Sequence, residues 1–176
     1  MMMKTVTLLC TLLLTMSIFA QQPPSTAPAQ IDAMKQCSFL VGEWKGEGWM
    51  AMGPGDRRTF SQMETVESKL DGLVLQIEGL GKDASGKIVH HALATVAYDP
   101  ESKSYRFRSY ENHGRYLDTN AECNGSTLLW FMQAGPRKIR YTIRLNEKQQ
   151  WSEIGEASPD GTSWMKFFEM TLSRVK

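Results

Sequence analysis

Polar and apolar positions divide the chain into three zones. Residues 5–20, "TVTLLCTLLLTMSIFA", are apolar and uncharged. Residues 21–30, "QQPPSTAPAQ", are polar and proline-rich, the composition of a flexible leader. After them Ile31, Met34 and Cys37 recur at three-residue spacing, which predicts one short helix with a single apolar edge. From residue 42 onward the period changes to two. "LVLQIEGL" alternates through Leu73, Leu75 and Ile77, and "SYRFRSY" sets Tyr105, Phe107 and Ser109 against Arg106, Arg108 and Tyr110. In "KIRYTIRL", Ile139, Tyr141, Ile143 and Leu145 share one face, with Lys138, Arg140, Thr142 and Arg144 on the other. Turn clusters such as "MGPGD", "KDASGK", "YDPESK", "CNGS" and "SPDGTS" separate the runs. The prediction is all-β: an antiparallel up-and-down barrel of about nine or ten strands behind a short N-terminal helix.

The stretch "FLVGEWKGEGWM", residues 39–50, raises a choice between a bent strand and a ligand-cradling loop. By parity Gly42, Trp44, Gly46 and Gly48 share a face. Glycines on that face suit a first strand that coils tightly, with Trp44 turned inward to wall one end of the barrel. A phosphate-cradling loop needs a helix after it, and the pattern that follows is strand.

Composition adds a processing expectation. Lys4 followed by the apolar run, with Ala20 at its end, has the form of a secretory signal peptide over residues 1–20. The expected division is then a signal over 1–20, a leader over 21–30 and a barrel domain over 31–176, secreted or periplasmic, with no stable membrane insertion after cleavage. Without residues 1–20 the chain carries 19 basic and 19 acidic residues. That balance argues against a nucleic-acid partner or a polybasic membrane patch. Cys37 and Cys123 then remain. In an oxidising compartment they can form one bridge; two buried thiols that never meet are the alternative.

Little in the chain points to catalysis. "GKDASGKI" matches the spacing of a phosphate-binding loop, but Ile88 stands where Ser or Thr is required and opens a strand, so the segment reads as a hairpin turn. His90 and His91 are adjacent, and on a strand they face opposite ways. Ser109, Glu111 and His113 share parity. A triad needs hydrogen-bond reach, and alternate strand residues are about 7 Å apart. A Glu111–His113 pair at a strand end is the simpler reading, and two ligands on one strand do not make a zinc site. No cofactor and no metal centre is called for. The "NGS" sequon at 124–126 matters only in a eukaryotic secretory pathway, and the methionines outside residues 1–20 are ordinary core filler.

Several segments in order, "FLVGEWKGEG", "MGPG", "ETVESKLDGL", "LATVAYDPESKSYRF" and "WMKFFEMTLSR", resemble a lipocalin-like bacterial domain of unknown function within the calycin superfamily, over residues 34–175. Gly-x-Trp on the first strand carries the wider lipocalin likeness. That likeness also implies an arginine packed over Trp44, with Arg140 or Arg144 as candidates if not solvated. Nitrobindins, haem-carrying ten-stranded barrels, are similar through "FLVGEWKGEG". Their haem histidine falls in a His-Leu-x-Ala-x-Leu-x-Arg pattern. Aligning Leu172 and Arg174 with it puts Phe167 at the histidine, which counts against haem in that geometry.

The functional expectation is non-catalytic binding of a small, largely apolar molecule. The lining by parity is Trp44, Leu75, Tyr98, Phe107, Ser109, Glu111, His113 and Tyr141. Two rivals belong to other classes: a packed structural or protein-interaction module, and a barrel enzyme using Glu111 and His113. Haem in a different geometry would require His90, His91 or His113 to face the cavity.

Overall fold

The computed structural model describes residues 27–53 and 55–175. Helix α1 (Ala27–Met34) runs into a 3₁₀ helix (Lys35–Leu40). Ten strands follow: β1 (Gly42–Gly53), β2 (Asp56–Lys69), β3 (Val74–Lys82), β4 (Ile88–Asp99), β5 (Ser104–Glu111), β6 (Tyr116–Cys123), β7 (Thr127–Ala134), β8 (Arg137–Leu145), β9 (Trp151–Ser158) and β10 (Met165–Arg174). Each pairs antiparallel with its neighbour in sequence, and β10 pairs with β1 to close the barrel. The helix begins at Ala27, so the last four residues of the segment read as a leader are helical. The expected signal over 1–20 lies outside the described residues, as does the rest of the leader.

The glycines of β1 do what the parity argument asked of them. A Cβ on Gly46 would lie 2.1 Å from the Thr171 carbonyl oxygen, and one on Gly48 would lie 2.6 Å from the Phe60 ring and 2.7 Å from Met170 Cβ. Only glycine lets β10 and the β2 side chains come that close, and the closing seam of the barrel needs that approach.

The two ends differ. At one end α1 and the 3₁₀ helix form a plug, with Met34, Cys37 and Leu40 buried against the barrel. Trp44 is fully buried, donates its indole N–H to the Leu40 carbonyl at 2.8 Å, and meets Trp151 edge-on at 5.8 Å. The arginine over Trp44 is Arg174, the last residue of β10, with its guanidinium carbon 4.0 Å from the ring centroid. Arg174 also donates to the carbonyls of Phe39 and Val41. Arg140 lies elsewhere: it pairs with Glu156 at 2.7 Å and stacks on Trp164. β10 ends beside the start of β1, and register brings Trp44 opposite Arg174; sequence order hides that meeting.

Cys37 and Cys123 form a disulfide, Cα atoms 5.6 Å apart, across 86 residues of sequence. It ties the plug to the end of β6. Tyr105 donates to the Ala33 carbonyl at 2.7 Å and Gln30 to the Tyr98 carbonyl, so strands β4 and β5 hold the helix as well. Among the described residues the opposite end carries no helix, and it forms the mouth.

Candidate functional site

Register assigns the lumen face strand by strand. Trp44 lies opposite Glu64, Glu64 opposite Gly79, and Gly79 opposite Ala92, which pairs with Glu111. Phe107, Ser109 and Glu111 therefore face the lumen from β5. Trp130 follows on β7, Tyr141 on β8, Glu153 and Gly155 on β9, and Phe168 and Met170 on β10.

The middle of this lumen is polar. Gln62, Glu64, Ser109 and Glu153 are all more than nine-tenths buried. Gln62 donates to a Glu64 carboxyl oxygen at 2.7 Å, and Trp151 donates its indole N–H to Glu153 at 3.1 Å. The glycines of β3 make room for the β2 pair. A Cβ on Gly79 would sit 2.7 Å from Glu64 Oε1, and one on Gly81 would sit 2.6 Å from Gln62 Oε1. Burial pushes Glu64 up to about 7, partly opposed by the Gln62 hydrogen bond. Burial and then the charge of Glu64 push Glu153 up to about 8. Desolvation opposes ionisation, and two carboxylates in one dry space oppose it further.

One wall is aromatic. Phe107 stacks on Trp130 with centroids 4.6 Å apart, and Trp130 stacks on Tyr141 at 4.3 Å, with planes within 10°. Phe167 and Phe168 meet Tyr141 edge-on. Gly155 lets Tyr141 lie against β9, since a Cβ there would be 2.8 Å from its ring. Burial raises the Tyr141 phenol, and the Glu153 charge adds to this. Its hydroxyl has no hydrogen bond among the described residues, and neither has that of Ser109. Every side-chain nitrogen or oxygen sealed from solvent among the described residues has a partner. The Ser109 hydroxyl, on the lumen face, is therefore not fully sealed from solvent.

Nearer the mouth, both oxygens of Glu111 accept from the Arg115 guanidinium, at 2.7 and 2.9 Å. His113 Nε2 approaches the same carboxylate at 2.8 Å. β5 stops at Glu111, so His113 sits in the turn with its side chain 55% exposed. Its expected place on the lumen face required the strand to continue. His90 faces the lumen, and burial lowers its pKa; His91 points outward and meets Glu78 at 3.1 Å.

The wall itself is uneven. β6 and β7 share only three paired positions, from Ala121–Trp130 to Cys123–Leu128. Beyond them a hollow of about 450 Å³ opens between Thr119, Met132, Ile139 and Trp164.

The eight residues read from sequence thus separate into groups. Phe107, Ser109, Glu111 and Tyr141 line the lumen. Trp44 and Leu75 are buried core at the plugged end, and Tyr98 packs there on Tyr105 at 5.2 Å. His113 is at the rim. The parity reading missed Gln62, Glu64 and Glu153. Their signal was present: Glu64 alternates with Phe60 and Val66, and Glu153 with Trp151 and Gly155. A charged residue in phase with buried apolar ones marks an interior polar group.

The family model described as "Protein of unknown function (DUF1579)" matches residues 33–174. The chain belongs to that family. No curated protein matches it. Among solved structures it is similar to Rv2717c from M. tuberculosis, at 12% identity and a TM-score of 0.60, covering 82% of this chain and 98% of that one. It is also similar to the S-type phycobiliprotein lyase CPES from Guillardia theta, at 8% identity and a TM-score of 0.55, covering 84% of this chain and 93% of the lyase. Identities this low show a shared barrel fold alone. Among the described residues no group of three or more His, Cys, Asp or Glu is placed to hold a metal ion, and no helix is long and apolar enough to cross a membrane.

Proposed function

We propose that this barrel binds a small, largely apolar molecule in the unplugged half of its lumen, without catalysis, outside the cytoplasm. One observation carries the reading. The stacked Phe107–Trp130–Tyr141 wall stands beside hydroxyls of Ser109 and Tyr141 that have no partner among the described residues. Aromatic faces supply desolvated contact area, and a few polar groups fix orientation, the usual division of labour in a ligand pocket. The disulfide favours an oxidising compartment, in keeping with removal of residues 1–20 as a signal. The likeness to a phycobiliprotein lyase is a likeness of fold and carries no substrate over.

Native mass spectrometry of the protein taken from its own host's envelope tests the reading. A discrete extra mass that vanishes on denaturation, together with altered Trp130 fluorescence, is the expected result. An apo mass, and no fluorescence change with any apolar probe, would instead support a packed interaction module.

His90 favours one second reading, haem ligation from β4, because it is the histidine on the lumen face, opposite Gly81, where burial lowers its pKa. The aligned nitrobindin position is Phe167, in the irregular stretch between Lys166 and Phe168, with its ring against Tyr141. Haem-loaded protein with a Soret band that is lost in His90→Ala would replace the apolar-ligand reading.

A further inference from the structure

In the middle of the lumen two carboxyl groups have no cation among the described residues to answer them. Glu64 is met by Gln62 and Glu153 by Trp151, and no lysine, arginine or histidine among the described residues pairs with either. Arg115, the basic group at the mouth, is taken by Glu111. Arg174, at the plugged end, is spent on Trp44 and two carbonyls.

Isolated buried carboxyls are costly, and a fold that needs only packing has cheaper choices at both positions. Here β3 even supplies glycines to accommodate them: side chains at Gly79 and Gly81 would occupy the space of Glu64 and Gln62. Ser109, buried and unpartnered, faces the same lumen from β5. Gln62 uses its amide N–H toward Glu64, leaving its carbonyl as a further acceptor. The Trp130–Tyr141 stack faces the same lumen from β7 and β8. Two buried carboxyls without a protein cation are surroundings that suit an organic cation bringing its own charge.

The geometry points to an organic cation as the occupant: an amine or amidine whose N–H groups reach Glu64 and Glu153 and whose apolar part lies among the aromatic side chains of the lumen. This rests on the lumen being a binding site and names the class of ligand. The ligand brings the positive charge that the two carboxyls lack, so binding expels the protons they otherwise hold. No other strand sets a competing charge in the middle of the lumen. β1, β3, β6, β7 and β10 contribute Met50, Ile77, Leu117, Trp130, Met170 and their neighbours, all uncharged. The remaining titratable groups on the inner face are Arg58 on β2, paired with Asp56, His90 and Tyr98 on β4, Tyr105 and Glu111 on β5 with Arg115, the Tyr141 phenol on β8 and Arg174 over Trp44.

Three probes of one shape separate the ideas: 2-naphthamidinium, 2-naphthamide and 2-naphthoate, titrated into the full chain by calorimetry and tryptophan fluorescence. At pH 9 the amidinium should bind at least about tenfold more tightly than the amide, a difference of about 1.4 kcal/mol. At pH 6 the preference should fall below about threefold, and calorimetry in two buffers should show proton release on binding. Glu64→Gln with Glu153→Gln should abolish the preference at pH 9 and leave the amide bound. Equal binding of amide and amidinium at pH 9, or tightest binding of the naphthoate, overturns the cation assignment while leaving the lumen reading intact. Failure of all three probes overturns both. The charge and pH series needs only the unmutated protein, so a double variant that does not fold cannot rescue or hide the outcome.

Discussion

The plugged end and the middle of the lumen face the same barrel interior and are built on opposite logic. At the plugged end the polar groups of Trp44, Arg174 and Tyr105 are answered. The Trp44 indole N–H has the Leu40 carbonyl, Arg174 has two carbonyls and a ring, and the Tyr105 hydroxyl has Ala33. A few residues further in, two carboxyls each have a single neutral partner and two hydroxyls have none. A region whose polar groups are all satisfied contributes rigidity; a region left unsatisfied costs stability and offers binding capacity. The stability of this barrel is therefore concentrated at one end and its chemistry toward the other.

The sharpest way to break that comparison is to remove the centre of the plug. Trp44→Ala should lower unfolding free energy by about 3–5 kcal/mol, by analogy with large-to-small core substitutions, read as a shift in the urea midpoint. A fall of less than about 1 kcal/mol would mean the plug does not hold the fold. Removing the disulfide by Cys37→Ser with Cys123→Ser should cost about 2–5 kcal/mol on the same assay.

The lumen carboxyls should act through pH. Both are raised above the ordinary value near 4.5, to about 7 and about 8, chiefly by burial. Between those values the folded state keeps protons that the unfolded chain has released, so stability falls as pH rises. Their favourable contribution is complete below about 4.5 and is lost as pH passes through 7 to 8. Glu64→Gln and Glu153→Gln should thus stabilise the protein at pH 9 relative to pH 5, together by a few kcal/mol. Parallel stability curves for variant and parent across that range would remove the raised carboxyls from the account.

Smaller effects sharpen the boundary between the regions. Arg174→Ala should cost about 1 kcal/mol, the scale of a partly exposed cation–π contact with its hydrogen bonds, with no change in the pH dependence. Gly79→Ala should change stability by less than about 1 kcal/mol, because its new methyl meets the far end of a flexible glutamate and alanine favours the strand backbone. It should still displace the Glu64 carboxyl and weaken binding of a lumen probe.

How much was legible follows from what each signal encodes. The alternation in "KIRYTIRL" placed Tyr141 inside and Arg140 outside, and both are so placed. The parity of "FLVGEWKGEG" placed Trp44 and the glycines on the inner face. The same rule extended to His113 fails because β5 ends two residues earlier, at Glu111; a face is defined only while the strand lasts. Glu64 and Glu153 were overlooked because a single charged residue in an alternating run is usually read as solvated, and only their burial shows otherwise.

Sequence alone determined the all-β class, the short leading helix, the approximate strand number and the inner face of most strands, because those depend on periods of two and three to four residues along one chain. The tertiary structure decided which arginine covers Trp44, that Cys37 meets Cys123, and that Glu64, Glu153, Ser109 and Tyr141 share one lumen. Those depend on how β10 returns to β1 and on register around a closed barrel, and neither is recorded in the spacing of residues within any one strand.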